Sequence, residues 1–325
     1  MTDTDPGPEP TGSAPGAPYV TGAPTSPGPT GVDPLTAPLT YPGTPPRRPA
    51  VVVTGDAVLV LRPLADAPLG KWPLQADPEA SFTGPDPDGP DHGELRHPGL
   101  AQSQRGRAAS AAVSGRGSEL REVPLDRYLL AAGGSPAAAL TPVLAVGSNA
   151  SPAQLRRKLN RAGLPTLVPI TAVRVRGLAV GVSAHVSRPG YLPATPIPSA
   201  DVVSDLWVLW LDEAALAAVD ATEPNYERVL LPDRCPVRLT TGQPVPECWV
   251  YLSRHGYLLN EAGEPRRLTD QPTLVSALLA EIPALPPLAG TTPREWIERT
   301  RDVAVRDAIR EVFGSVGLVC RVKEL

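Results

Sequence analysis

Lysine is almost missing from this chain. Of 325 residues only Lys71, Lys158 and Lys323 are lysines, and arginine carries nearly all the positive charge. The net charge is −4, from 30 basic and 34 acidic side chains. So small a balance gives no reason to expect nucleic acid or an anionic membrane surface as partner. Cysteine is scarce as well. Cys235, Cys248 and Cys320 are too few, and too odd in number, for a disulfide framework, and they lack zinc-type spacing. No apolar run is long enough to span a bilayer. The first residues are acidic and proline-rich, with neither a basic n-region nor an apolar h-region, so no secretory signal is expected. These absences predict a cytoplasmic, reduced protein. There is no P-loop, no Gly-x-Gly-x-x-Gly and no internal repeat. His92 and His97 fall in a polar stretch without ligand logic, and His185 and His255 fall at strand ends, where structural or surface roles come first. No metal and no cofactor is called for.

Proline is what the chain has in excess, 43 residues of it, unevenly spread. Residues 1–48 are Pro, Gly, Thr, Ser and Ala with no periodic apolar pattern. Such a segment cannot bury enough surface to offset its ordering entropy, so a disordered tail is expected, with a protein partner for its proline-rich stretches as the only binding role in view. Residues 49–75 hold two apolar runs, Val51–Val53 and Ala57–Leu61, around Thr54-Gly55-Asp56. This reads as a β-hairpin, either docking on the main domain or standing apart. Residues 76–118 read as a second flexible linker. Residues 119–261, with a core at 141–258, form the main domain, and 262–325 add helices and a last strand.

Within that domain, Leu120–Ala132 reads as a helix stopped by Gly133-Gly134. Residues 166–186 read as strands and 191–197 as a proline-punctuated loop. Asp205–Leu211 is a buried strand, and Asp212 caps a short helix, Glu213–Val219. Arg228–Leu231 is a strand. Residues 235–239 and 245–252 are expected to pair as a hairpin around Thr240–Gln243. If that register pairs Leu239 with Pro244, Cys235 faces Cys248; two buried small hydrophobes are the commoner outcome than a redox switch. Asp270–Ile282 reads as an amphipathic helix. Thr292-Pro293-Arg294-Glu295 is a capping box opening a helix that runs to Phe313 and stops at Gly314. Its apolar stripe, Trp296, Ile297, Val305, Ile309, Val312 and Phe313, belongs against the core. Val316–Val322 reads as a last strand.

Two stretches carry the chemistry. The first is Val143–Ala150 with Ser151-Pro152. Residues 143–146 are continuously apolar, which suits a strand covered on both faces. Gly147-Ser148-Asn149 turns the chain, and Ser151-x-x-Gln154 is a capping-box pattern with Pro152 at the first helical position. A strand that hands over to a helix in this way aims free backbone N–H groups at one point, a seat for a carboxylate or oxyanion. The second stretch is Asp220-x-x-Glu223-x-x-Tyr226 with Arg228. A carboxylate near apolar walls can shuttle a proton. Taken alone, a glutamate at a helix exit is more often a solvated turn residue.

Together the two stretches resemble the γ-glutamylcyclotransferase-like family. The matching residues are Gly147-Ser148-Asn149, then Ala194-Thr195 with Pro196 and Pro198, then the tryptophan-bearing strand Val203–Leu211. Asp220–Tyr226 with Arg228 and Trp249-Val250-Tyr251-Leu252 complete the set, over about 115 residues. The order and spacing of several weak motifs carry the likeness; no single one is specific.

The resemblance implies an α+β fold, a small mixed β-barrel flanked by helices, with the long disordered N-terminal region outside it. It implies an activity of lyase or transferase type, in which the α-amino group of a γ-glutamyl amide attacks its own γ-carbonyl and releases 5-oxoproline and an amine. The partner is then a small γ-glutamyl compound. Glu223 would be the acid/base, and the backbone of Gly147, Ser148 and Asn149 the anion cradle. Tyr251 would line the pocket, and Tyr226 would orient Glu223 or close the wall. One substitution departs from the family pattern. Val146 stands where a tyrosine usually precedes Gly-Ser-Asn, which removes a hydroxyl from the pocket. An aromatic usual in the helix after the barrel is also absent between Asp270 and Ile282. Two rival readings remain: a catalytically inactive cyclotransferase-like binding module, and a biosynthetic cyclotransferase acting on a different amide.

Overall fold

A computed structural model describes residues 34–55, 57–75, 123–321 and 325. The linker expected at 76–118, with His92 and His97, and the first 33 residues lie outside this set. The described chain is a mixed α+β fold built on one large, mostly antiparallel sheet. Its strands are β1 (Ala50–Thr54), β2 (Ala57–Leu61), β3 (Pro73–Gln75), β4 (Val123–Pro124), β5 (Thr141–Ala145), β6 (Leu167–Val182), β7 (Ala194–Leu211), β8 (Tyr226–Leu230), β9 (Val237–Leu239) and β10 (Trp249–Ser253). The order is β4-β3-β2-β1-β6-β7-β5-β10-β8, with β9 also on β6. The expected barrel is not closed: among the described residues the end strands β4 and β8 do not pair. β11 (Tyr257–Leu258) and β12 (Val319–Cys320) form a small second sheet.

The sheet is covered on both faces, and the short strands show why they are apolar throughout. In β1, Ala50 and Val52 face one core cluster while Val51 and Val53 face another. In β5, Leu144 faces the first, and Val143 and Ala145 the second. A strand with two buried faces has no use for polar alternation. The β1–β2 hairpin is part of the large sheet, since β1 pairs along its whole length with β6. Residues 34–48, whose composition argues for a solvated tail, lie against the same body, and Tyr41 is buried.

The helices are α1 (Leu125–Ala131), α2 (Pro152–Arg161), α3 (Glu213–Ala221), α4 (Gln271–Glu281), α5 (Leu285–Ala289), α6 (Pro293–Arg299) and α7 (Val303–Ser315). α4 to α7 close over the far end of β6 and β7 in a third cluster, built on fully buried Trp296 and Phe313. Burying such a side chain is worth roughly 1.5–3 kcal/mol each. The capping box at Thr292 and Glu295 forms as expected, and Asp212 and Asp270 cap α3 and α4. The single helix expected from 292 to 313 is two, because Asp302 starts a new cap by accepting from Ala304 N–H.

Two expected elements differ. Residues 194–197, read as a proline-punctuated loop, begin β7. Pro196 and Pro198 are two apart, so both lack an N–H on the same edge, the one turned away from β6. Among the described residues no strand pairs that edge at 194–198, so the missing donors leave no ladder bond unmade. The hairpin expected at 235–252 is a tight turn only: Arg238 bridges Pro244, while β9 pairs with β6 and β10 runs parallel to β5 and antiparallel to β8. Cys235 and Cys248 are free and buried in one apolar cluster. None of the helices among the described residues is long and apolar enough to cross a membrane.

Candidate functional site

The C-terminal end of β5 opens a cleft of about 280 Å³ between the start of α2, the exit of α3 and the first residues of β7. β5 stops at Ala145. Val146 and Gly147 lead into a single 3-10 turn, Ser148–Ala150, and α2 begins at Pro152. The capping box expected here does not form. The hydroxyl of Ser151 is buried without a hydrogen-bond partner among the described residues, and the side chain of Gln154 instead accepts from Arg157.

The φ of Gly147 is −140°, so a left-handed turn is not what calls for glycine here. Close approach is: a Cβ there would lie 2.3 Å from the Tyr41 hydroxyl oxygen and 3.2 Å from Ala194 Cβ.

α3 ends at Ala221, and the turn Thr222–Asn225 presents Glu223 to the cleft. Its carboxylate is held on one oxygen. Oε1 accepts from Asn149 Nδ2 at 3.1 Å and from Lys158 Nζ at 2.5 Å. Lys158 also donates to Asn149 Oδ1 at 2.7 Å, which closes a triangle. The Lys158 and Glu223 side chains are only 11% and 15% exposed. Oε2 has no protein partner among the described residues, so that oxygen is left for the cleft. Asn149 and Glu223 come together through the asparagine side chain. Lys158 was not singled out from the sequence. The signal was present: it is one of the chain's three lysines, nine residues after Asn149 on a helix otherwise rich in arginine.

Asp220, three residues before Glu223, serves a different cluster. Its Oδ1 accepts from the Tyr251 hydroxyl at 2.7 Å and from Arg228 Nε at 3.0 Å, and Oδ2 accepts from Arg228 Nη2 at 3.2 Å. Arg228 stacks over Trp249, 4.7 Å from the ring centroid. Tyr251 therefore lines the cleft while its hydroxyl is committed to Asp220. Tyr226 closes the wall, bonded to Glu223 only through its backbone N–H, which donates to the Glu223 carbonyl at 3.0 Å. Its hydroxyl donates to the Ala194 carbonyl at 2.9 Å. The Ala194 N–H in turn donates to the Tyr41 hydroxyl at 2.8 Å. Val146 lines the cleft with an apolar side chain, and the Tyr41 hydroxyl, from another part of the chain, lies beside Gly147.

The phenols stay protonated. Burial first, then Tyr191, pushes the Tyr41 hydroxyl up; burial, then Tyr41, does the same for Tyr226; and burial, then the bond to Asp220, raises Tyr251. His185, also on the cleft, is lowered to about 3 by burial, then by His255 and Arg310. It is a neutral imidazole, with Nδ1 2.6 Å from Ser183 Oγ, itself 2.6 Å from Ser253 Oγ. Around the rim stand Arg157, Arg161 and Arg188. Among the described residues lining the cleft Glu223 is the one carboxylate, and it is already paired with Lys158, so the three arginines bias the cleft towards an anionic ligand. Among the described residues no group of three or more His, Cys, Asp or Glu side chains could hold a metal ion.

No family model matches the chain, and no curated protein does. Solved structures give weak likenesses. A protein titled gamma-glutamyl cyclotransferase is 12% identical, with a TM-score of 0.31, over 53% of this chain and 98% of that one. An uncharacterized Homo sapiens protein is 15% identical, with a TM-score of 0.30, over 53% and 99%. An Arabidopsis thaliana protein is 18% identical, with a TM-score of 0.27, over 35% of this chain and 61% of its own length. Likenesses this weak place no constraint on the chemistry of the cleft.

Proposed function

We propose that this chain is a γ-glutamylcyclotransferase-like enzyme that converts a γ-glutamyl amide into 5-oxoproline and a free amine. One observation carries the reading. The Glu223 carboxylate lies on a cationic cleft with one oxygen fixed by Asn149 and Lys158 and the other open.

The chemistry follows from that asymmetry. The glutamyl moiety enters with its carboxylate towards the basic side of the cleft. Its α-ammonium meets Glu223 Oε2, which takes a proton and leaves a nucleophilic amine. The nitrogen attacks the γ-carbonyl carbon of the same molecule, and the cleft need only hold the chain folded for the two atoms to meet. The tetrahedral intermediate carries its charge on the former carbonyl oxygen. As it collapses, Glu223 returns that proton to the departing nitrogen and the amide C–N bond breaks; the second proton of the attacking nitrogen then passes through Glu223 to the freed amine, which leaves as an ammonium while the neutral lactam remains. No water, metal or redox partner enters the balance.

The test is a panel of γ-glutamyl amines and dipeptides incubated with the full-length protein, with 5-oxoproline measured. Turnover by wild type and a loss of about 10²–10⁴-fold in Glu223→Gln are expected. No turnover on any of the panel, or a Glu223→Gln rate equal to wild type, would sink the reading.

A further inference from the structure

Tyr41 lies in the stretch that composition assigns to the tail, yet it is 5% exposed and belongs to the apolar cluster under α4–α7. Its ring stacks on Tyr191, with centroids 4.2 Å apart and planes 17° apart. Its oxygen accepts from the Ala194 N–H at 2.8 Å. That N–H is available because, among the described residues, no strand pairs this edge of β7.

In that bond the phenol oxygen is the acceptor. Its own hydrogen needs a partner of its own, and none is bonded to it among the described residues. Tyr41 borders the cleft, close enough to Glu223 for that charge to act on it. The Ala194 N–H also polarises the O–H bond, which strengthens it as a donor.

We infer that Tyr41 is a substrate-contact residue of this cleft, whose hydroxyl donates to the oxygen of the attacked γ-carbonyl and holds the charge that develops there. The inference rests on the reaction proposed for Glu223. A fixed donor beside the turn, within reach of the base but bonded to neither Glu223 nor Lys158, is what a developing oxyanion requires. No proton leaves Tyr41. The opposite role, a plug that keeps substrate out, fits less well. The ring is packed into the core, and its chain runs directly into β1 of the main sheet, so displacing it would cost that packing.

The experiment measures kcat and KM for full-length wild type, Tyr41→Phe and Glu223→Gln on a γ-glutamyl substrate that wild type turns over, alongside thermal unfolding. Phenylalanine keeps the stack on Tyr191 and removes only the hydroxyl. A fall in kcat of about 10²–10³-fold is expected, with KM changed by less than about threefold. If Tyr41→Phe melts more than about 5 °C below wild type, 4-aminophenylalanine at this position takes its place; its N–H restores a donor, and kcat must recover. An unchanged or raised kcat, a rise in KM alone, or no recovery with the amino analogue overturns the inference while leaving the proposed reaction standing. No turnover by wild type overturns both.

Discussion

Asp220 and Glu223 are three residues apart at the exit of one helix, and the fold uses them in opposite ways. Asp220 spends its bonds on structure: it accepts from the Tyr251 hydroxyl and from both ends of the Arg228 fork. Both of its oxygens are engaged, and it holds β8 and β10 in place against α3. Glu223 is nearly as well fixed but on one oxygen only. Between the structural carboxylate and the one proposed to react, the difference is one lone-pair face with no protein partner among the described residues. Identity and charge do not separate the two residues; the count of satisfied acceptors does.

The largest effect that would test this contrast is on turnover. Glu223→Gln should lower it by about 10²–10⁴-fold, and by leaving Lys158, 11% exposed, without its carboxylate it should also cost stability. Asp220→Ala should lose stability while its activity stays within about tenfold of wild type. If both variants lose activity and stability in the same proportion, the two carboxylates do not have different roles.

A second test separates the charge of Glu223 from its role. Lys158→Met leaves a carboxylate that is 15% exposed against Asn149 alone. An ion stranded in that way is costly, and a stability loss of up to about 3 kcal/mol is expected by chemical denaturation. Adding Glu223→Gln to Lys158→Met removes the stranded charge and should recover most of that loss. Failure to recover would mean that Lys158 stabilises the fold by some other contact.

What could be read in the sequence divides along the same line. Glu223 and the turn at 147–149 could be found because each sits in a short pattern with a local cause: a helix exit, and a strand handing over to a helix. Lys158 could not, because its partner is 65 residues away and nothing local marks it beyond the rarity of lysine. Tyr41 was hidden by composition. Proline, glycine and threonine around it predict an unordered segment, and its order comes from Tyr191 and Ala194, some 150 residues on. The same blind spot turned the start of β7 into an expected loop, since Pro196 and Pro198 are tolerable only because that edge is unpaired. The two-faced apolar strands β1 and β5 were readable because burial on both sides leaves its mark in consecutive residues. Closure of the sheet is a property of its distant ends, β4 and β8, and no local pattern reports it.

Asp220→Ala comes third in size. It removes the acceptor of three hydrogen bonds, but the Arg228 and Asp220 side chains are 26% and 36% exposed, so water recovers part of the loss. About 2 kcal/mol of stability is expected to go. Activity should fall less than about tenfold, through the Tyr251 ring that the cluster positions. A loss approaching that of Glu223→Gln would move Asp220 into the chemistry and dissolve the contrast.

The smallest effect concerns His185, where the fold answers charge in a third way, by forbidding it. Its neighbours are His255, with ring centroids 4.5 Å apart, the edge of Tyr226 at 6.0 Å, and the positive field of Arg310. No carboxylate is among the groups that shift it, and burial leads in lowering it to about 3. The unfolded chain takes up the proton near pH 6.5, whereas the folded chain refuses it until far lower pH. Stability from this group is therefore complete above about pH 6.5 and declines as pH falls towards 3. His185→Asn keeps a neutral hydrogen-bonding side chain near Ser183 and removes the titration. Between pH 7.5 and pH 5.5, wild type should lose about 1 kcal/mol more than the variant in urea unfolding. Equal losses would mean that His185 is protonated in the folded protein at pH 5.5, and that the cleft tolerates a cation on its wall at His185 as readily as it tolerates Lys158.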